Sequence, residues 1–378
     1  MPIVLAIAGL AIAAWRAPRE GPPRFALAAS VPPRATGTAH GATGIGVVDL
    51  PATVPSAHAS TLVECGDGDI LAAWFAGTRE GARDIAIHMA RLSGGRVVDH
   101  WVSLTREQLA DATHRTVRKL GNPVLWLAPD GSLRLFVTSV GVGGWSGSGI
   151  THLRSNDLGR SWQEARRLVL APFLDLGTLV RTPPVPLEDG GVLLPCYREF
   201  IHKHGIAVCI APDARVIGSA PMPAASRSLQ PAVAATGALE AVAVLRCGDG
   251  ALRRVLRTRT GDGGASWDMA RPTEVPNPDS SVALVRLGDG SLLMAANPAE
   301  RGRARLVLLR STDGGSSWAE SAEVERGDER AEYSYPTLMV ARDGTVYLSY
   351  TMRRESIRVR SWTQAALGAS AGAGEAAP

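Results

Sequence analysis

This chain has few cysteines and little net charge, and each of these features argues against a class of function. Among 378 residues there are only four cysteines, Cys65, Cys196, Cys209 and Cys247, with no CxxC pair. A zinc site is therefore not expected, and cysteines in apolar segments behave as small buried hydrophobes. The net charge is +4, and the basic residues are scattered among acidic ones without forming a stripe, which argues against nucleic acid as a partner. No dense carboxylate loop is present, and neither a metal nor a cofactor is predicted.

The apolar run at the start of the chain is short. Residues 2–15 (PIVLAIAGLAIAAW) are apolar, but spanning a bilayer takes about 20 such residues. The run is similar to the apolar part of a signal peptide, although no Lys or Arg precedes it. Residues 1–45 are therefore predicted to be a leader or membrane anchor with a linker, which implies a periplasmic, secreted or membrane-anchored protein. If the run is no targeting signal, the protein is cytoplasmic. Residues 363–378 are predicted to be a disordered tail.

Helical patterning is almost absent, and a repeat is present instead. Only residues 107–120 show the apolar spacing of a helix. An octet of the form [ST]-x-D-x-G-x-S-W occurs three times, as SNDLGRSW (155–162), TGDGGASW (260–267) and STDGGSSW (311–318). The octets start 105 and 51 residues apart, close to two periods and one. Repeats of about 20–50 residues indicate solenoids, propellers or arrays.

A second repeated signal has the same period. Asp-Gly turns precede apolar segments five times, and residues 235–245 supply a degenerate sixth copy; the five segments are 66–75, 129–137, 188–196, 288–296 and 342–350. Asp-Gly between alternating apolar segments is a strong hairpin signal. Six units of about 50 residues predict an all-β fold, a six-bladed β-propeller of four-stranded antiparallel blades over 46–362. A β-sandwich is the competing fold, but it would not explain the regular spacing.

The order of the two signals places the octets within the blades. The octet follows the Asp-Gly turn in its unit, so it is predicted to form the hairpin between the two outer strands. Its Asp can accept backbone N–H bonds and its Trp can pack between blades. The octet is therefore interpreted as structural, and the chemistry is expected on the inner strands and their loops.

The octet resembles the Asp-box, or BNR repeat, of the sialidase superfamily. Residues 58–91, 276–298 and 332–354 are also similar to segments of bacterial sialidase-like proteins, so the resemblance covers roughly residues 46–362. It implies an exo-acting glycoside hydrolase on sialic acid or a related acidic sugar. Such enzymes use a tyrosine nucleophile that a glutamate activates, an aspartate as acid/base, and three arginines for the substrate carboxylate.

The resemblance assigns roles to particular residues. Tyr335, eight residues before Asp343, matches the nucleophile, and Tyr333 is the alternative on what is expected to be the same strand face. Asp84 matches the acid/base, and Arg79 matches an arginine that braces the pocket beside it. The arginine triad is matched by Arg246 and by Arg303 (or Arg301 or Arg305). Independently of the resemblance, Asn122, Arg181 and Asn277 fall at equivalent points of their blades, so they are expected to face the central cavity as substrate contacts. Arg353 and Arg354 follow the inner strand of the last blade and are weaker candidates. Because Arg246 lies in an otherwise apolar segment, its charge needs a partner.

Two positions depart from the family pattern. His58 stands where the first triad arginine is expected, and Gln230, sixteen residues before Arg246, stands where the activating glutamate is expected. Glutamine cannot act as a base, so activation of Tyr335 would need another group. Imidazole titrates near neutral pH, so His58 with Tyr335 could instead support β-elimination from a uronic acid.

Three functions follow from these residues. The first is a sialidase-like hydrolase, the second is a polysaccharide lyase that uses His58 and Tyr335, and the third is a non-catalytic glycan-binding propeller. The expected partner is an acidic glycan or sialoside. The chain is expected to be a monomer, with residues 2–15 as a membrane tether.

Overall fold

The computed structural model of the protein describes residues 23–26, 46–141, 144–170, 176–200 and 202–369. Over these residues the chain forms six antiparallel sheets arranged as a six-bladed β-propeller. The predicted fold is thus confirmed, and the sandwich is excluded. The first strand of each blade lies at the central channel and the last strand lies at the outside.

The strands follow one another blade by blade from the N-terminal side. Strand β1 (Gly46–Asp49) comes first and belongs to the last blade. Blade 1 comprises β2 (Ser56–Glu64), β3 (Ile70–Gly77), β4 (Ala86–Ser93) and β5 (Arg96–Leu104). Helix α1 (Arg106–Thr113) leads to blade 2, which comprises β6 (Lys119–Leu127), β7 (Leu133–Val140), a 3-10 turn (Gly144–Gly147), β8 (Ser148–Ser155) and β9 (Gln163–Arg167).

The inner edge of blade 3 is divided between two short strands. This blade comprises β10 (Thr178–Val180), β11 (Val185–Pro186), β12 (Val192–Arg198), β13 (His204–Ile210) and β14 (Val216–Met222). Blade 4 comprises β15 (Ser228–Ala235), β16 (Ala241–Cys247), β17 (Arg254–Thr260) and β18 (Arg271–Pro276). Blade 5 comprises β19 (Ala283–Arg286), β20 (Leu292–Ala296), β21 (Arg305–Ser311) and β22 (Ala319–Arg326).

The two ends of the propeller meet in blade 6. It comprises β23 (Tyr333–Val340), β24 (Val346–Met352), β25 (Ser356–Trp362) and, on its outer edge, β1; helix α2 (Gln364–Ala369) follows. Strand β1 pairs antiparallel with β25, with Gly46 opposite Ser361 and Asp49 opposite Arg358. Because one sheet contains both the start and the end of the propeller, this pairing closes the ring.

Only part of the predicted helix 107–120 forms. Thr105 caps helix α1, and Gln108 completes a capping box with it. His114 adopts a left-handed conformation (φ 51°) and ends the helix. The remaining residues extend and enter β6 at Lys119, because their apolar side chains pack into the sheet instead.

The three octets form the turns between the third and fourth strands of blades 2, 4 and 5, as predicted. In the first, the Asp157 carboxylate accepts hydrogen bonds from the backbone amides of Arg160 (3.1 Å) and Ser161 (2.9 Å). Burial opposes ionisation, but hydrogen bonds from the hydroxyls of Ser155 and Ser161 lower the pKa of Asp157 to about 2. The octet carboxylate is therefore committed to holding its own turn.

The octet tryptophans pack between blades, which was also predicted. Trp162 of blade 2 donates from Nε1 to the carbonyl oxygen (3.1 Å) and hydroxyl (2.9 Å) of Ser103, in the outer strand of blade 1. Trp267 of blade 4 is buried in the core that also contains Leu193 of blade 3. Each of these tryptophans thus fills the gap between its own blade and the preceding one.

We expect Trp267→Ala to lower the free energy of unfolding by about 3 kcal/mol, because it empties a buried aromatic site between two blades. Chemical denaturation of the full chain would measure the change. Trp267→Phe should lose much less, since most of the apolar volume remains. Equal stability of the alanine variant and the original protein would contradict the structural role of the octet.

The structure alters two expectations about the chain ends. Within the predicted leader and linker (1–45), Phe25 is buried and its amide donates to Ala238 at 2.8 Å, so residues 23–26 pack on blades 3 and 4. Within the predicted disordered tail, helix α2 forms because Leu367 packs into the blade 6 core, and Ser321 donates to its carbonyl oxygen. The apolar run 2–15 lies outside the described residues. None of the helices described here is long and apolar enough to cross a membrane.

Candidate active site

Four inner strands are interrupted by β-bulges at the same end of the channel. The pairing register shifts after His58 in β2, Gly121 in β6, Leu229 in β15 and Ser334 in β23. The first unpaired residue at each bulge is not glycine, yet each has a positive φ: Ala59 (54°), Asn122 (46°), Gln230 (49°) and Tyr335 (53°). Bulges redirect side chains and occur next to active sites, where the surrounding fold maintains such strained conformations. Four site residues were predicted on these strands. Three of them, Asn122, Gln230 and Tyr335, thus have the strained backbone that occurs at functional sites.

The bulge in β23 decides between the two tyrosine candidates. Tyr333 is buried in the core between blades 5 and 6. Tyr335 lies at the bulge, is half-buried, and contacts the polar residues at the channel mouth. The expectation that both tyrosines share one strand face is wrong, because the bulge breaks the alternation of side chains between them.

Arg246 connects Tyr335 to the neighbouring blades. Its Nη1 donates to the Tyr335 hydroxyl oxygen (3.3 Å) and to Oε1 of Gln230 (3.1 Å), and its Nε donates to Asp279 (2.6 Å). Burial opposes the charge, but Tyr335 and Asp279 raise the pKa of Arg246. Asp279 is therefore the charged partner that Arg246 needs in its otherwise apolar segment. It was not predicted from the sequence.

Arg303 is the triad candidate that reaches the site. Its guanidinium carbon lies 5.7 Å from the centre of the Tyr335 ring, and its Nη2 donates to the carbonyl oxygen of Asp279 at 2.9 Å. Arg305 instead pairs with Glu320 and Glu323 on the outer strand of blade 5. The structure thus favours Arg303 over Arg305.

Glu332 and Arg354 complete the cluster, and Glu332 was not predicted. The Glu332 carboxylate forms ion pairs with Arg303 (3.0 Å) and Arg354 (2.9 Å) and accepts from Ser334 (2.7 Å). Burial raises the pKa of Glu332, but the hydrogen bonds from Arg354 and Ser334 and the two arginine charges lower it to about 2. Arg354 follows the second strand of blade 6, not the inner strand as expected.

His58 packs directly against the candidate nucleophile. Its ring centre is 4.1 Å from that of Tyr335 and 5.6 Å from that of Phe75. It is 1% exposed, and neither ring nitrogen has a hydrogen-bond partner among the described residues. Burial, followed by the charge of Arg354, lowers the pKa of His58 well below its usual range. The ring is therefore neutral at physiological pH and does not replace the charge of the missing triad arginine.

Gln230 belongs to a buried amide–phenol network. Its Nε2 and the Nδ2 of Asn122 both donate to the hydroxyl oxygen of Tyr197, each at 3.4 Å. Tyr197 lies in β12 of blade 3, and burial raises the pKa of its hydroxyl. This network holds Gln230 with its Oε1 toward Arg246, and no carboxylate of a described residue contacts the Tyr335 hydroxyl.

Arg181 lies beside Tyr335, and its guanidinium group donates to oxygens of the protein itself. Its Nη1 donates to the Ser60 carbonyl (3.1 Å) and the Thr337 hydroxyl (3.2 Å), and its Nη2 to the carbonyls of Tyr335 and Pro336. Burial lowers its pKa to about 10, so it stays charged at neutral pH. The predicted substrate contact is instead a brace between blade 3 and blades 1 and 6.

Asn277 is also a structural residue. Its side-chain amide donates to the Ser280 carbonyl (2.9 Å) and its oxygen accepts from the Ser280 amide (3.1 Å). Both polar groups are thereby used to close the loop that presents Asp279. The residue from this loop that reaches the cluster is Asp279, two positions later.

Asp84 and Arg79 lie in the β3–β4 loop, outside the contacts around Tyr335. The exposed Asp84 carboxylate accepts from the Thr78 amide (2.9 Å) and hydroxyl, and these hydrogen bonds lower its pKa. It forms no ion pair with a described residue. Between them, Glu80 pairs with Arg354, so this loop touches the edge of the cluster.

One protein-family model matches most of the chain. The model of the BNR repeat-like domain matches residues 68–348. The chain belongs to this family. Among the described residues, no group of three His, Cys, Asp or Glu side chains is arranged to hold a metal ion.

Solved structures with the same fold include sialidases and a protein of unknown function. A Hadza microbial sialidase, Hz136, is 17% identical with a TM-score of 0.69; the alignment covers 82% of this chain and 66% of that one. The leech intramolecular trans-sialidase is 13% identical with a TM-score of 0.64, covering 84% and 69%. A protein of unknown function from Dyadobacter fermentans is 15% identical with a TM-score of 0.65, covering 85% and 99%. No curated protein matches the sequence of this family member. At these sequence identities, the likeness shows only that the folds are similar.

Proposed function

We propose that the protein is an exo-acting glycoside hydrolase that removes sialic acid or a related acidic sugar from glycans. The observation that supports this most directly is the convergence of two arginines on Tyr335: Arg246 donates to its hydroxyl oxygen and Arg303 lies over its ring. A phenol surrounded by guanidinium groups suits a substrate that carries a carboxylate.

The arginines would bind the substrate carboxylate in a different arrangement from the expected triad. His58 occupies the position of the first arginine and is neutral. Arg354 comes from blade 6 and shares Glu332 with Arg303, so the two guanidinium groups lie on either side of one carboxylate. Arg246, Arg303 and Arg354 therefore bring three guanidinium groups to the mouth of the channel, where they already pair with carboxylates: Asp279, Glu332 and Glu80.

Tyr335 would act as the nucleophile and Asp84 as the acid/base. A tyrosine suits an anionic sugar because a carboxylate nucleophile would be repelled by the substrate's own charge. Gln230 cannot take the Tyr335 proton, so this proton would leave to solvent at the channel mouth, where Tyr335 is half-buried. Gln230 orients Arg246, which donates to the tyrosine oxygen and would stabilise the phenolate. Asp84 is on the loop that contacts Arg354 through Glu80, so its carboxylate would approach the leaving group from the rim of the channel mouth.

The test is release of methylumbelliferone from a panel of glycosides. The panel contains α-sialoside, β-glucuronide and α-galacturonide substrates together with their neutral counterparts. We expect turnover of at least one acidic glycoside and none of the neutral ones. Equal turnover of neutral sugars, or binding of acidic sugars without any turnover, would contradict the hydrolase; the latter would support the non-catalytic glycan-binding propeller.

We expect Arg354→Gln to raise the KM for the acidic substrate by about ten-fold with a smaller change in kcat, because one charged hydrogen bond to the carboxylate is lost. Steady-state kinetics would separate the two constants. Arg353→Gln is the matched control, since the side chain of this neighbour is exposed and forms no ion pair with a described residue. An unchanged KM in the Arg354 variant would remove Arg354 from the substrate site.

A second function is supported by the contact between His58 and Tyr335. A neutral imidazole whose nitrogens have no hydrogen-bond partner among the described residues can accept a proton, as β-elimination from a uronic acid requires. A polyuronate lyase would generate an unsaturated product that absorbs ultraviolet light, and His58→Ala would abolish it. Hydrolysis without such absorbance would exclude the lyase.

A further inference from the structure

A cleft rich in arginine lies beside the candidate active site. The β3–β4 loop and the segment from α1 to β6 enclose about 620 Å³. Five of the lining residues are basic and none is acidic: Arg79, Arg83, Arg106, Arg118 and Lys119.

Three of these arginines have no counter-charge within the described residues. Arg106 pairs with Glu107, but the exposed side chains of Arg79, Arg83 and Arg118 form no ion pair there. Like charges around a concave surface repel one another and concentrate anions. An oxyanion bound in the cleft would offset this repulsion and accept several guanidinium hydrogen bonds.

Local backbone conformation shapes both sides of the cleft. On one side, the capped helix α1 and the left-handed His114 fix the approach to β6. On the other side, Gly81 has a φ of 75°, and a Cβ at this position would lie 3.3 Å from Nζ of Lys119. Glycine thus allows the loop to pass close to the lysine. The cleft therefore lies between a capped helix and a loop that comes close to Lys119 at Gly81.

The cleft and the candidate active site open at the same end of the propeller. The β3–β4 loop leaves β3 at Gly77, which pairs with Ser56, two residues before His58. Glu80 in the same loop forms an ion pair with Arg354 of the Tyr335 cluster. The loop's carboxylates are occupied by Arg354 and Thr78 and do not line the cleft.

We propose that this cleft binds a second anionic group, a carboxylate or a sulfate, of an extended acidic glycan whose terminal acidic sugar occupies the Tyr335 site. The inference rests on the proposed function for the identity of that terminal sugar. It narrows the substrate class to glycans that carry acidic groups on neighbouring sugars as well as on the terminal sugar. The cleft would then favour polymeric over monomeric substrates.

The test measures binding to the full chain with a Tyr335→Phe substitution, so that turnover does not consume the probe. The probes are a short oligogalacturonate, a short sulfated oligosaccharide, and the monosaccharides galacturonic acid and sialic acid, each titrated by calorimetry at two salt concentrations. The cleft variant is Arg83→Gln with Arg118→Gln. The matched control is Arg96→Gln with Arg271→Gln, which removes the same charge from exposed positions on outer strands.

We expect the cleft variant to bind at least one of the two oligosaccharides about five-fold more weakly, with a shallower salt dependence, because two exposed ion pairs are lost. Its affinity for the monosaccharides and the affinities of the control should not change. Preference for the oligogalacturonate or the sulfated probe identifies the anionic group as carboxylate or sulfate. Equal oligosaccharide affinity in the cleft and control variants, or no oligosaccharide binding by the parent, would overturn the proposal.

Failure of the cleft and failure of the proposed function give different results. If the protein without substitutions does not hydrolyse any acidic glycoside, but the cleft variant loses oligosaccharide affinity, the hydrolase is wrong and the anion site is retained. If it hydrolyses the small glycosides and the cleft variant binds oligosaccharides normally, the hydrolase is retained and the anion site is wrong.

Discussion

Tyr335→Phe is expected to reduce kcat on the acidic glycoside that the protein hydrolyses by at least about a thousand-fold. The substitution removes only the hydroxyl oxygen that accepts from Arg246. The ring remains packed on His58 and below Arg303, so the shape of the site is kept. The KM should change little, because the arginines that bind the substrate carboxylate are still present.

Tyr333→Phe is the control for this experiment. Tyr333 lies two residues earlier in the same strand but is buried in the core between blades. Its variant should retain nearly all of the activity. Melting curves of both variants would show that any loss is not caused by unfolding. Residual activity of Tyr335→Phe within about ten-fold of the original protein would exclude Tyr335 as the nucleophile.

Arg181→Leu is expected to lower the free energy of unfolding by about 3 kcal/mol, because the oxygens that its guanidinium holds lose their donors in a buried place. Those oxygens belong to Ser60 in blade 1 and to Tyr335, Pro336 and Thr337 in blade 6. Arg181 itself is in blade 3, so its loss separates blades that meet only at the channel axis. Denaturant unfolding followed by tryptophan fluorescence would measure the change.

Two further variants define the role of Arg181. Arg181→Lys retains a charge but cannot donate to oxygens on both sides, so an intermediate loss of stability is expected. Arg271→Leu, on an exposed outer strand, should leave stability nearly unchanged. If Arg181→Leu keeps full stability but raises the KM for the acidic glycoside, then Arg181 contacts substrate as the sequence first indicated, and the brace is wrong.

Local chemistry explains why the blade count could be predicted. Asp157 and its counterparts in the other two octets hold a turn with hydrogen bonds that involve only residues within a few positions along the chain. The spacing of such turns is set by strand length. Tyr335, Arg246 and Arg303 could also be selected in advance, because each lies in a segment that resembles one of known role.

The bulges had a sequence signal that was not used. Pro123, Pro231 and Pro336 directly follow Asn122, Gln230 and Tyr335 in inner strands. Proline cannot donate to a strand neighbour, so within a sheet it is found at edges and bulges. A proline at the same point of three blades therefore indicates where side chains are redirected, and it would have separated Tyr335 from Tyr333.

The repeats, read by themselves, determined that this protein is a six-bladed propeller and which strands line its channel, because turn formation and strand alternation are local. Closure of the ring decided the composition of the site. Asp279, Glu332 and Arg354 meet Arg246 and Arg303 only because loops from blades 4, 5 and 6 converge at one channel mouth. The same convergence turned Arg181 into a buried brace and placed a neutral His58 against Tyr335. Such contacts join residues far apart in the chain, and no local pattern encodes them.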